Sequence, residues 1–230
     1  MTDSRTASAP ADGFLRTTRT SYDAFAKEYT ARHPDGLADH ALERGLLAAF
    51  AELVRPSAPA PVADLGSGPG HVAARLHDLG VPVFGVDLSP GMVALAREAH
   101  PHLRFHVGSM TSLDLPDASL GGILALYSII HVPDEHLPTA FAEFHRTLAP
   151  GGHVLLSFQS PGHHGHLHLD ERFGHEIDLD YYWRTPETIS DHLTAAGLSL
   201  HSRILREPQE DENYPRAFVL ARKPLSGSGS

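Results

Sequence analysis

An α/β fold built on a mostly parallel sheet is predicted by three observations on the sequence. From Val62 to Phe158, short apolar stretches alternate with stretches of helical periodicity, the pattern of a sheet covered by helices on both faces. The stretch from Gly122 to Ser128 is nearly continuously apolar, which suits a strand buried on both sides. The first strand, Val62-Ala63-Asp64-Leu65, runs into Gly66-Ser67-Gly68-Pro69-Gly70, a glycine turn that opens a helix.

The elements follow in order. Residues 1–19 are polar and rich in Pro and Ala, and fraying is expected there. From Ser21, the residues Tyr22, Phe25, Ala26 and Tyr29 recur at helical spacing. A second helix places Leu42, Leu46, Leu47, Phe50, Leu53 and Val54 on one face, and Pro56 to Pro61 form a stiff linker into the first strand. A helix over Gly70 to Leu79 precedes the strand Val83 to Asp87. Ser89-Pro90 reads as N-cap and first-turn proline of a helix ending near His100. Leu103 to Val107 and Gly122 to Ser128 are the third and fourth strands. Asp134 is expected to cap the next helix, whose buried stripe is Leu137, Phe141, Phe144 and Leu148. Pro150-Gly151-Gly152 turns the chain into a fifth strand, His153 to Phe158. Thr185-Pro186-Glu187 opens a helix stopped by Gly197. Leu198 to Leu205 and Ala217 to Ala221 are the last two strands, and the acidic connection Glu207 to Asn213 suits a hairpin between them.

The glycine turn and the second strand, Val83-Phe84-Gly85-Val86-Asp87, together make a nucleoside pocket. The glycines let the backbone approach a ligand, and a carboxylate at the strand end can accept from both ribose hydroxyls. A dinucleotide fingerprint needs Gly-x-Gly-x-x-Gly, but here the third glycine falls one place early and His71 takes its slot. Asp64, just before the turn, would repel a pyrophosphate and suits an ammonium and a sulfonium. This pattern resembles the first motif of the Rossmann-like, class I S-adenosylmethionine-dependent methyltransferases. The resemblance runs from Tyr22 to Lys223 in element order. It implies a three-layer Rossmann-like fold with a mostly parallel seven-stranded sheet and an antiparallel last strand.

Further motifs carry the same resemblance. Gly108-Ser109-Met110, followed by Leu115-Pro116, resembles the motif after strand three that contacts adenine. The family usually has Asp where Ser109 stands; a neutral hydroxyl makes a weaker bond. Asp117 reads as a turn residue. Leu126-Tyr127-Ser128-Ile129-Ile130-His131 is similar to the fourth motif of the small-molecule enzymes, which often place a histidine near the transferred methyl. The Asn- or Asp-Pro-Pro-aromatic signature of enzymes acting on nucleobases or glutamine amides is absent. Tyr22-Asp23-x-x-Ala26-x-x-Tyr29 resembles the N-terminal helix that lids the cofactor, although an aromatic core stripe would look the same. The resemblance thus implies S-adenosylmethionine as cofactor, held by Tyr22, Asp64, Gly66, Ser67, Gly68, Gly70, Asp87, Leu88, Ser109, Met110 and Tyr127.

At 230 residues a single domain is expected, residues 20–224, with an N-terminal helical lid over 20–56 and an acceptor lid over 160–184; residues 225–230 read as a linker or tag remnant. The chain has no cysteine, which excludes disulfides, thiolate zinc sites and a cysteine nucleophile. No run of eighteen apolar residues and no apolar leader segment is present, so a cytoplasmic protein without membrane partner is expected. A formal net charge of -10 argues against a nucleic-acid partner.

Residues 160–175 hold His163, His164, His166, His168 and His175. His168 and His175 join His131 as candidate general bases, since a neutral imidazole can take a hydroxyl or amine proton. The histidines and nearby acids could also chelate zinc or nickel, but crowding on a glycine-rich loop disfavours a closed tetrahedral site, and no metal is expected. Arg172 and Arg184 read either as solvated charges or as receptors for an acceptor carboxylate. The expected activity is methyl transfer to an oxygen or nitrogen of a small molecule. A non-methylating protein that keeps this pocket is the alternative. A nicotinamide-dependent oxidoreductase fits less well, because of Asp64, the displaced glycine and the absence of a Tyr-x-x-x-Lys pair.

Overall fold

The computed structural model describes residues 11–34, 37, 40–57, 60–210 and 212–225. Helices α1 (Ala11–Arg32) and α2 (Ala41–Val54) precede strand β1 (Val62–Leu65). There follow α3 (His71–Asp78), β2 (Val83–Asp87), α4 (Pro90–Ala99), β3 (Arg104–Val107) and β4 (Leu120–Leu126). The second half comprises α5 (Leu137–Thr147), β5 (Leu148–Gln159), β6 (Gly165–Arg172), β7 (His175–Trp183), α6 (Pro186–Ala195), β8 (Ser199–Arg206) and β9 (Arg216–Arg222). The seven-stranded sheet has the order β3-β2-β1-β4-β5-β9-β8. The first five strands of the chain pair in parallel, and β9 runs antiparallel between β5 and β8. This is the Rossmann-like architecture expected.

Strand order reverses between β1 and β4, so a crevice opens beyond their carboxyl ends. Both strands are buried along nearly their whole length, β1 from Val62 to Leu65 and β4 up to Ala125, which explains their apolar character. On one face Phe141 and Phe144 of α5 pack against Ile123, Val154 and Leu156; on the other, Leu47, Phe50 and Val54 of α2 pack against Leu124, Leu155 and Phe218. Ser89 Oγ accepts the Met92 amide at 3.0 Å, and Thr185 Oγ1 accepts the Thr188 amide at 3.2 Å, as their cap positions require.

Four local expectations change. Helix α1 begins at Ala11, well before Ser21, because Phe14 and Leu15 are covered and line the cavity described below. The Pro150-Gly151-Gly152 segment lies inside β5: Leu148 pairs with Leu120, the register shifts, and His153 pairs with Gly122. Asp134 caps nothing; it begins a short 3-10 turn, and its carboxylate binds Arg184. The histidine-bearing segment is not all loop: His166 and His168 lie in strand β6 and His175 opens β7, the two strands pairing antiparallel in a separate sheet, while His163 and His164 precede β6. The alternating residues Glu176 to Tyr181 form part of β7, as their period suggested. Residues 1–10 and 226–230 lie outside the described residues. Among the described residues no helix is long and apolar enough to cross a membrane.

Candidate functional site

A cavity of about 500 Å³ lies at the carboxyl ends of β1, β2 and β4, roofed by α1 and by the β6–β7 hairpin. Its floor is the glycine turn. The Gly66 amide donates to Val86 O at 2.7 Å, with Gly66 at φ +74°. A Cβ there would stand 2.3 Å from Ser128 Cβ, so the turn can only pass this point as glycine. Gly68 has φ +51° and no heavy atom within 4 Å of where its Cβ would be, which leaves bare backbone facing the cavity. Gly70 is different: it caps α3 and is packed against Phe105 and His100, outside the cavity lining.

Asp87 stands at the end of β2 with both carboxylate oxygens engaged. Oδ2 accepts the Gly68 amide at 2.7 Å and Oδ1 the Ser89 amide at 2.8 Å, so the acid ties the glycine turn to the start of α4. Each oxygen keeps a lone pair for a further donor. Burial pushes the Asp87 carboxyl up to about 6 against these hydrogen bonds. Asp64 lies behind the cavity rather than on its wall; it is buried and its Oδ2 lacks a hydrogen-bond partner. Burial, then the Asp87 charge, push its carboxyl up to about 7.

Past β4 the backbone makes a left-handed step at Tyr127, φ +53°, and a short 3-10 turn then delivers His131 into the cavity. A non-glycine residue held in this region marks a site the surroundings over-determine. Tyr22 Oη from α1 lies 2.8 Å from His131 Nε2. His131 Nδ1 lies 2.8 Å from the Asp180 carbonyl on β7. Burial lowers the His131 pKa to about 4, so the ring is neutral near pH 7. Burial raises the pKa of Tyr22 well above the ordinary phenol value, and pushes that of Tyr127 up to about 12, with the Glu43 charge adding to the latter.

The structure brings together Tyr22, Gly66, Ser67, Gly68, Asp87, Leu88, Ser109, Met110, Tyr127 and His131 around one cavity; Asp64 and Gly70 lie outside its lining. The Ser109 hydroxyl is held locally, 2.8 Å from Thr111 Oγ1 and accepting the Thr111 amide. His168 and His175 are not in the lining. His168 Nδ1 lies 3.0 Å from Asp180 Oδ1, which His166 Nε2 also approaches at 2.7 Å, while His175 faces Glu28 at 3.4 Å. One ligand atom each from His168, Asp178 and Asp180 lies within 4.8 Å of the others, a partly exposed grouping on the outer face of the hairpin.

Arg184 is not an acceptor ligand. It is 2% exposed, with Asp134 Oδ1 at 2.7 Å from Nε and the carbonyls of Ile129 and Val132 on its two Nη groups, so it braces the turn that carries His131. The sequence reading missed Phe14, Leu15, Glu43, Glu212 and Arg216 of the lining. Glu43 could have been suspected, since it interrupts the apolar face of α2 and is buried against Arg206 at 3.2 Å.

Comparison with known proteins agrees with this geometry. A sequence family described as methyltransferase domain matches residues 62–152. A demethylmenaquinone methyltransferase of Chlorobaculum parvum is 36% identical over 92 residues, 40% of this chain and 37% of its own. The chain therefore spans well under half of that relative. A malonyl-acyl-carrier-protein O-methyltransferase of Dechloromonas aromatica is 31% identical over 189 residues, 79% of this chain and 67% of its own. Among solved structures, a Burkholderia thailandensis 1,6-didemethyltoxoflavin-N1-methyltransferase, with 1,6-didemethyltoxoflavin and S-adenosylhomocysteine bound, aligns with TM-score 0.70 at 24% identity over 95% of this chain and 92% of that one. A (4+2)-cyclase aligns with TM-score 0.71 at 18% identity, covering 92% and 97% of the two chains. At these identities the structural likenesses speak for the fold alone.

Proposed function

The chain belongs to the Rossmann-like S-adenosylmethionine-dependent methyltransferases, and from that premise we propose that it methylates an oxygen or nitrogen of a small molecule. The observation that carries this reading is the joint placement of Asp87, the bare backbone at Gly68 and the Tyr22–His131 pair around one cavity. The residues fit a nucleoside cofactor bearing positive charge. A Cβ at Gly68 would fill the approach, Asp87 has lone pairs to spare, and the unpartnered oxygen of Asp64 lies behind the turn. Tyr22, Gly66 to Gly68, Asp87, Leu88, Ser109, Met110 and Tyr127 would hold that cofactor.

When bound, S-adenosylmethionine would supply an electrophilic methyl on a sulfonium, whose carbon–sulfur bond would break as the acceptor's lone pair bonds the methyl, leaving S-adenosylhomocysteine. The protein's share is orientation, water exclusion and proton handling. Tyr22 offers its oxygen lone pairs to the acceptor proton while its own proton passes to His131 Nε2. The Asp180 carbonyl holds the opposite edge of the ring. His131 is thus the base reached through Tyr22. His168, exposed beside Asp178 and Asp180, and His175, held against Glu28 of α1, lie outside the cavity lining and take no direct part.

Calorimetry with S-adenosylmethionine, S-adenosylhomocysteine and NAD(H) tests the cofactor. Binding of NAD(H) with no response to either adenosyl ligand would overturn the proposal. Incubation with methyl-labelled cofactor and a panel of hydroxyl and amine acceptors tests the chemistry, because a product heavier by one methyl separates transfer from a non-methylating use of the same pocket.

A further inference from the structure

Two arginines line the cavity, Arg172 at the end of β6 and Arg216 at the start of β9. Arg216 is neutralised by Glu212, with Nε and Oε1 3.3 Å apart. Arg172 has no carboxylate within ion-pair distance among the described residues. Its Nη1 donates to the Tyr181 hydroxyl, and its Cζ sits 5.9, 4.9 and 5.8 Å from the ring centres of Phe25, Phe173 and Tyr181. Arginines buried elsewhere meet acids: Arg184 has Asp134, and Arg206 has Glu43 and Glu212.

An unpaired guanidinium on a partly desolvated wall is costly unless a partner arrives. The aromatic rings offset some of that cost without consuming its donors. A guanidinium has five N–H donors in a rigid fork, and the one hydrogen bond recorded leaves most of them free. Such a planar fork suits a carboxylate bound bidentately. The Tyr181 ring that Arg172 bonds lies edge-on to that of His131 at 4.6 Å, which places the guanidinium at the Tyr22–His131 end of the cavity.

We propose that Arg172 is the receptor for a carboxylate carried by the acceptor, whose body lies against the aromatic wall of Tyr22, Tyr29 and Tyr181. The substrate class is therefore an organic acid. This rests on reading the cavity as a methyl-donor and acceptor site, and the test keeps the two apart.

The protein saturated with S-adenosylhomocysteine is titrated with benzoate and benzamide, and with succinate and succinamide. At least one acid is expected to bind roughly tenfold or more tightly than its amide. Arg172→Gln should erase that ratio and Arg172→Lys restore part of it, while the affinity for S-adenosylhomocysteine stays within about twofold. A ratio near one for both pairs in the unaltered protein overturns the proposal, as does a ratio that survives in Arg172→Gln. Failure of S-adenosylhomocysteine to bind the unaltered protein would instead overturn the cavity reading itself.

Discussion

The Tyr22 hydroxyl donates to His131 Nε2 across 2.8 Å, and the direction of this bond is fixed from the far side of the ring. Nδ1 faces the Asp180 carbonyl at 2.8 Å, and a carbonyl only accepts, so Nδ1 carries the ring proton. Nε2 then holds a lone pair, and Tyr22 must be the donor. One tautomer makes His131 an acceptor and leaves the lone pairs of Tyr22 for the cavity.

If this pair moves the acceptor proton, Tyr22→Phe and His131→Ala should each lower kcat by roughly 10²–10⁴-fold, with cofactor affinity little changed in His131→Ala. The pH profile discriminates further. An ordinary imidazole would lose activity near pH 6.5, but this ring stays neutral down to about 4. The acid limb of kcat is therefore expected near pH 4, and a limb at pH 6–7 that vanishes in His168→Ala would move the base to the lid.

Removing the Asp87 side chain should weaken S-adenosylhomocysteine binding by roughly 2–4 kcal/mol, through loss of charge-assisted hydrogen bonds. Asp87 also accepts the Gly68 and Ser89 amides, so Asp87→Ala loses both bonds, whereas Asp87→Asn, whose Nδ2 can only donate, loses one. It keeps the shape and should retain the melting temperature better than Asp87→Ala. Unchanged dissociation constants for both variants, measured by calorimetry, would remove Asp87 from the pocket.

Cofactor binding should release protons near pH 6. The Asp64 and Asp87 carboxyls, with pKa values near 7 and 6, bind protons more tightly folded than unfolded. The ligand-free fold therefore loses stability as pH rises from about 4 to 7. Ribose donors and an ammonium favour the ionised forms, so affinity should climb with pH and level off above about 7. Calorimetry in two buffers of different ionisation enthalpy reads the released protons directly. A heat independent of buffer would contradict this coupling.

Two neighbouring glycines should fail in different ways. Gly66→Ala forces a Cβ to 2.3 Å from Ser128 Cβ at φ +74°, and should cost about 2–4 kcal/mol, visible as a melting temperature lowered by several degrees. Gly68→Ala meets no atom within 4 Å and should cost only about 1–2 kcal/mol of backbone strain. Its loss is expected in cofactor affinity instead, by tenfold or more. Equal effects on melting and on binding in both variants would contradict the assignment of Gly68 to the cavity face.

Much of this was legible in the sequence because it is local. Hydrophobic period located the strands, and Ser89-Pro90 and Thr185-Pro186 marked helix starts with their own side chains. What escaped depends on partners distant in the chain. Arg184 looked like a surface or ligand cation, yet its place is set by Asp134 and by two carbonyls about fifty positions away. The first turns of α1 look polar in isolation, and their burial needs the cavity above them. The histidines of β6 read as loop because glycine and histidine dominate locally, whereas the strand is made by its pairing with β7.

The β6–β7 hairpin shares no backbone ladder with the seven-stranded sheet, yet it orients His131 through the Asp180 carbonyl. A carbonyl is common to all amino acids. The side chain at position 180 can therefore change without altering which ring nitrogen of His131 bears the proton, so long as Leu179 and Tyr181 keep the strand packed on α1. Descendants of this chain can exchange the hairpin's exposed side chains and keep the Tyr22–His131 hydrogen bond in the same sense.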